Sequence, residues 1–310
     1  MKRVVNICIV VCASGVVVVA AVWRLRHRPD SNETTSRFVV EAPHQKSKAV
    51  NYAGVSFTFD ATLASEVKSE TLPEVVESKW TDIGPEYPVF RFKGYQNESA
   101  EEGTAEIRVF SISKFRDVAR KSSAWYNSTA YPGDIDLSKD FDDEVRVLEL
   151  LLAKQPSPSE TGRFLGRARD SIGCGEMPFL PMWEWCQAFV TRPKYISFKN
   201  GRGVFYLAHM DRETSQVTNA DLQYVFQGIT VDRQHYVSAL FPVAASFLPK
   251  NSLVPEVEQW NNENYLLSHK SKKYQNYVRP IIRQLNGLPA SDFRPRLELI
   301  EHVIQSLEVK

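Results

Sequence analysis

The sequence predicts an α+β protein: an antiparallel sheet built from hairpins, packed with helices and preceded by one N-terminal transmembrane or signal helix. Three observations carry this. Residues 194–210 (KYISFKN, a glycine turn, VFYLAHM) and 222–243 (LQYVFQGITV, DRQ, HYVSALFPV) read as strand segments on either side of short turns, as adjacent hairpins do. Near the C-terminus Leu297, Ile300, Ile304 and Leu307 fall on one side of a helix. From Val4 to Trp23 no residue is charged, which matches the roughly 20 residues that cross a bilayer as a helix.

The N-terminal 28 residues are expected to be a membrane anchor or signal segment. Lys2 and Arg3 precede the apolar run, Arg24, Arg26 and Arg28 follow it, and no acid interrupts them. Val19-Ala20-Ala21 fits a small-residue cleavage site and hence a secreted protein. The length of the run and the arginines behind it instead suit an uncleaved single-pass anchor in the cell membrane, with the body extracytoplasmic. The flanking charges are nearly balanced, so the opposite orientation stays open. Cys12 follows Val11, where a lipoprotein signal has a small residue, so lipidation is not favoured. Residues 29–50 are polar with two prolines and read as a flexible stalk.

The extracytoplasmic domain then occupies 51–310, either as one body or as two lobes divided near 154–162. Val55-Ser-Phe-Thr-Phe59, PVFRFKGY (88–95) and EIRVFSIS (106–113) are period-two strands. A short polar helix is expected over 114–125. GDIDLSKDFDDE (133–144) reads as an acidic loop running into a helix over 144–154, where Val145, Leu148, Leu151 and Leu152 share a face. KQPSPSETG (154–162) is linker-like. After the hairpins come a helix over Val257–Leu267, a second over Tyr274–Leu285 interrupted by Pro280, and the final one. The glycines of NGRG (200–203) are expected to supply positive φ at a hairpin turn.

Composition excludes some partners. The formal net charge is +1, and the basic residues near the N-terminus leave the remainder mildly acidic, so no nucleic-acid footprint is visible.

Four blocks carry a resemblance: MPFLPM (177–182), YISFKNGRGVFYL (195–207), LQYVFQGITVDRQHYVSALFPV (222–243) and FRPRLELIEHVIQSLEV (293–309). Together they resemble a set of exported or membrane-anchored bacterial proteins with no assigned activity. The order of elements, with an early F-x-F strand, long hairpins and a last helix ending in SLEV, is similar to PsbP-like domains. That resemblance implies an antiparallel sheet between helices and a non-enzymatic, assembly-supporting role.

No motif identifies a reaction. Cys8 and Cys12 lie in the apolar segment; Cys174 and Cys186 stand alone in the body, an even number in a compartment expected to be oxidising, and a disulfide between them is the favoured reading over free buried thiols. Metal or redox chemistry would need closer spacing than theirs. Phe179, Trp183 and Phe189 read first as core with Trp185 at an edge, and Trp183 and Trp185 as the pair that can contact a ligand if exposed. Asp134, Asp136, Ser138, Asp140 and Asp142 alternate like a calcium loop, but Lys139 replaces its glycine and Val145 its final glutamate. His209, Asp211, Ser215 and Ser238 are components for a dispersed Ser-His-Asp site, without a G-x-S-x-G elbow. No phosphate-binding glycine motif occurs, and no catalytic, metal or cofactor residue is assigned. Asn32, Asn97 and Asn127 begin glycosylation triplets. The expected function is therefore a membrane-tethered or exported binding or assembly module with a protein or cell-envelope partner. Two alternatives are an exported hydrolase with a dispersed site and a carbohydrate- or cell-wall-binding protein using the aromatic patch.

Overall fold

Apolar residues at every second position bury one face of a strand, and strands buried on both faces need covers on both sides. The central sheet of this protein is of the second kind. The computed structural model describes residues 8–11, 17–20, 47–77, 83–95, 105–129, 136–168, 177–180, 186–211, 216–251 and 272–310. In the unit Met1–Pro43, Cys8–Val11 (β1) pairs antiparallel with Val17–Ala20 (β2). The remainder of the expected membrane segment, and the stalk up to residue 46, lie outside the described residues. Among the described residues no helix is long and apolar enough to cross a membrane.

His44–Lys310 form one compact unit. Its strands are β3 (Ser47–Tyr52), β4 (Val55–Asp60), β5 (Glu66–Leu72), β6 (Tyr87–Lys93), β7 (Glu106–Ser111), β8 (Cys186–Phe198), β9 (Gly201–Asp211), β10 (Leu222–Thr230) and β11 (His235–Pro242). Short pieces follow: β12 (Ala244–Ala245), β13 (Phe293–Arg294) and β14 (Glu308–Val309). Seven strands form one antiparallel sheet in the order β5-β6-β7-β11-β10-β9-β8. The helices are α1 (Ile112–Thr129), α2 (Leu137–Lys154), α3 (Pro158–Ala168), α4 (Lys272–Gly287) and α5 (Leu297–Gln305). The protein is thus α+β with antiparallel sheets.

Alternation along the strands divides the core in two. Phe205, Leu207, Tyr224, Phe226, Val237 and Phe241 face a small sheet (β14-β4-β3) together with α4 and α5. Their neighbours Val204, Tyr206, Val225, Tyr236 and Leu240 face α1, α2 and α3. Each fully buried Phe or Leu contributes about 1.5–3 kcal/mol relative to exposure, so both layers are needed to cover the sheet. The chain's end seals the first layer: Glu308 and Val309 pair with Ser56 and Val55 of β4. The Asn200 side chain at the β8–β9 turn holds both backbone groups of Val309.

Several expectations are corrected. The acidic stretch is mostly helix: α2 begins at Leu137, with the Asp136 side chain capping Lys139 N. Leu137 and Phe141 continue the helical face of Val145 and Leu148 towards the N-terminus, a signal already in the spacing. The linker-like stretch is helix from Pro158, where the Ser157 hydroxyl meets Glu160 at 2.6 Å in a capping arrangement. Pro280 does not interrupt α4, which runs through it. The glycines of the 200–203 turn do not serve positive φ; the residues with positive φ nearby are Arg192 and Arg233. Gly203 instead makes room, because a Cβ there would lie 2.5 Å from the Gln227 carbonyl oxygen and against the Phe226 ring. The helix expected over 257–267 lies outside the described residues.

Candidate functional site

One end of the central sheet carries charge on a face that is otherwise apolar. On the side facing the α1–α3 layer, register sets Lys68 opposite Arg91 and Arg91 opposite Glu106, with Glu70 and Arg108 one pair away. These side chains join into a chain. Lys68 Nζ lies 3.1 Å from Glu70 Oε2, and Arg91 bonds Glu70 through Nη1. Arg91 Nε lies 3.5 Å from Glu106 Oε2, while Arg108 Nε donates to Glu106 Oε1 at 2.7 Å. The Glu106 side chain is only 5% exposed and Arg108 14%. A carboxylate that deep is tolerable because two guanidinium groups hold it.

A cavity of about 310 Å³ opens over this network. Leu72, Val75, Ile83, Tyr87 and Phe110 line it together with Arg91 and Arg108. Its rim is fixed by backbone. Val75 and Gly84 exchange hydrogen bonds of 2.9 and 3.1 Å, the Ser122 hydroxyl of α1 donates to Val76 O, and Lys121 reaches Glu74 at 2.9 Å. The Tyr87 and Phe110 rings lie 4.5 Å apart between centroids and continue into Phe115 and Phe141 of the helical layer. Chemically this is a cavity of mixed lining that combines apolar side chains with guanidinium donors. It suits holding an anion; a guanidinium does not exchange its proton at ordinary pH.

Comparison with known protein families, characterised proteins and solved structures finds no match to this chain.

The sequence-derived candidates are distributed differently. Cys174, Trp183 and Trp185 lie outside the described residues, and of Cys186 only the backbone is described, opening β8 opposite Asp211. Between them Met177–Leu180 is fully buried and crosses the sheet under the helical layer. Side chains grip its backbone. Gln187 pairs with Met177 N and O, Tyr206 donates to Pro178 O, Glu144 accepts from Phe179 N, and Gln227 accepts from Leu180 N. Phe179 and Phe189 are core, as expected.

His209 is fully buried, stacked on Phe189 with centroids 5.7 Å apart, and its Nε2 lies 3.8 Å from Asp221 Oδ2. Ser238 is not near it. His209 sits opposite Leu222, whereas Ser238 sits opposite Gln227, on the other face and about 17 Å further along β10 at ~3.3 Å per residue. Ser215 and the Asp211 side chain lie outside the described residues. The calcium-like alternation is also resolved by geometry. Asp136 caps α2, with its pKa lowered chiefly by the Ser138 hydroxyl, while Asp142 pairs with Arg116 at 2.8 Å. Among the described residues no three potential metal ligands cluster.

Arg91, Glu106 and Arg108 were not singled out by sequence reasoning. The alternation in EIRVF places Glu106, Arg108 and Phe110 on one face, which is the single local signal; their partner on β6 is set by long-range pairing.

Proposed function

We propose that this chain is a binding module, membrane-tethered or exported through its N-terminal segment, whose body holds a small ligand in the cavity over Arg91 and Arg108. The observation that carries the reading is the preformed cavity itself: apolar walls, a backbone-fixed rim and guanidinium groups already braced by Glu106. Such a site needs little ordering on binding, and small-ligand sites characteristically combine apolar walls with a few fixed polar groups. The extracytoplasmic address rests on the uncharged run Val4–Trp23 and the polar stalk behind it.

The test uses the full-length protein in mild detergent, equilibrated with a small-molecule extract of its own cells and examined by native mass spectrometry. The wild-type protein is expected to gain a mass increment that Val75→Trp, which fills the cavity, does not. No increment, or the same increment on both, overturns the proposal.

A further inference from the structure

Resting on that reading, we propose that the ligand is a small organic carboxylate with an apolar body, its carboxylate on Arg91 and its body against Leu72, Ile83 and Phe110. Charge balance comes first. Among the described residues of the network, three cations (Lys68, Arg91 and Arg108) face two carboxylates (Glu70 and Glu106), a ratio that favours one further monoanion. A dianion such as a phosphate ester would overshoot that balance and meet the two carboxylates at close range, where like charges in a low dielectric repel strongly.

Donor geometry comes second. Arg91 commits one N–H of Nη1 to Glu70 and its Nε to Glu106, which leaves three N–H groups, two of them on Nη2, on a side chain that is 25% exposed and lines the cavity. The two ion pairs fix the guanidinium plane before any ligand arrives, so a carboxylate meets an oriented donor edge. Arg108 lines the same cavity with its Nε on Glu106 and adds field. Size comes third. The cavity, about 310 Å³, is roughly twice the ~150 Å³ engineered cavity that takes up benzene, which matches one aromatic ring with a short chain. A neutral or cationic molecule of the same size would place no negative charge on the Arg91 donors.

The probes are 4-phenylbutyrate, 4-phenylbutanol and 4-phenylbutylamine, titrated calorimetrically into the full-length protein. The carboxylate is expected to bind about tenfold or more tightly than the alcohol, the scale of one charge-assisted hydrogen bond, and the amine not to bind. Arg91→Gln should weaken the carboxylate by about that factor and leave the alcohol unchanged. Should Arg91→Gln fail to fold, the three probes on the wild-type protein decide the matter alone. Equal affinity for carboxylate and alcohol, tighter binding of the amine, or no binding of any probe overturns the ligand class and leaves the cavity reading standing on its own test. Carboxylate binding that survives Val75→Trp intact places the ligand elsewhere, and then both fall.

Discussion

Replacing Gln227 by Leu tests whether the buried Met177–Leu180 segment is held by the sheet's side chains. Gln227, Ser238 and Leu180 are all fully buried. They close a ring: Leu180 N donates to Gln227 Oε1 at 3.2 Å, Gln227 Nε2 donates to Ser238 Oγ at 2.9 Å, and the Ser238 hydroxyl donates to Leu180 O. Leucine keeps the volume and removes the amide. The Leu180 N–H is then orphaned away from water, a cost of about 1–3 kcal/mol, and the bond to Ser238 is lost at about 1 kcal/mol. Leucine's greater apolarity returns part of this, so the expected loss is about 2–3 kcal/mol. Urea unfolding followed by circular dichroism reads it as a fall in midpoint at constant slope. Because the ring is mutually polarised, Gln227→Leu with Ser238→Ala should cost less than the sum of the two single changes by at least ~0.5 kcal/mol. A loss below ~0.5 kcal/mol for Gln227→Leu, or strict additivity, would refute the claim that this ring anchors the segment.

Two further outcomes are expected. Gly203→Ala forces a methyl group onto the Gln227 carbonyl within the β9–β10 ladder, so it should destabilise by about 1–3 kcal/mol or more in the same urea assay; a neutral effect would show that the strands can part without cost. Non-reducing peptide mapping of the full-length protein should find Cys174 joined to Cys186, whereas two thiols open to alkylation under denaturing conditions would remove the disulfide.

The parts of the fold that could be read from sequence are those whose signal is local. The two long hairpins announce themselves through Tyr195 to Leu207 and Leu222 to Val243, where β-branched and aromatic runs flank short polar turns. The last helix does so through Leu297, Ile300 and Ile304, although it ends at Gln305 and hands Glu308 and Val309 to a strand. β5 was not anticipated, because an edge strand reading EVKSETL is only half covered and its alternation is polar. The start of α2 was obscured by aspartates that look loop-like, yet one of them is the cap and Phe141 points into the core. The start of α3 was hidden in the same way, by a Ser-Pro pair that marks a helix beginning as readily as a linker. The site was least legible of all. Glu106 and Arg108 are two residues apart, but Arg91 and Glu70 reach them only through strand pairing, and Leu72, Val75 and Ile83 become walls only when the Val75–Gly84 contact closes the rim. Register and rim closure are tertiary facts without a sequence motif.

The central claim is that the ligand lies in the cavity above Arg91 and Arg108. It is tested most directly by comparing ligand uptake on the full-length wild-type protein and Val75→Trp in one native mass-spectrometric experiment. The account predicts a bound mass on the first and its loss on the second, both folded. Equal uptake by the two, or none by either, would contradict it.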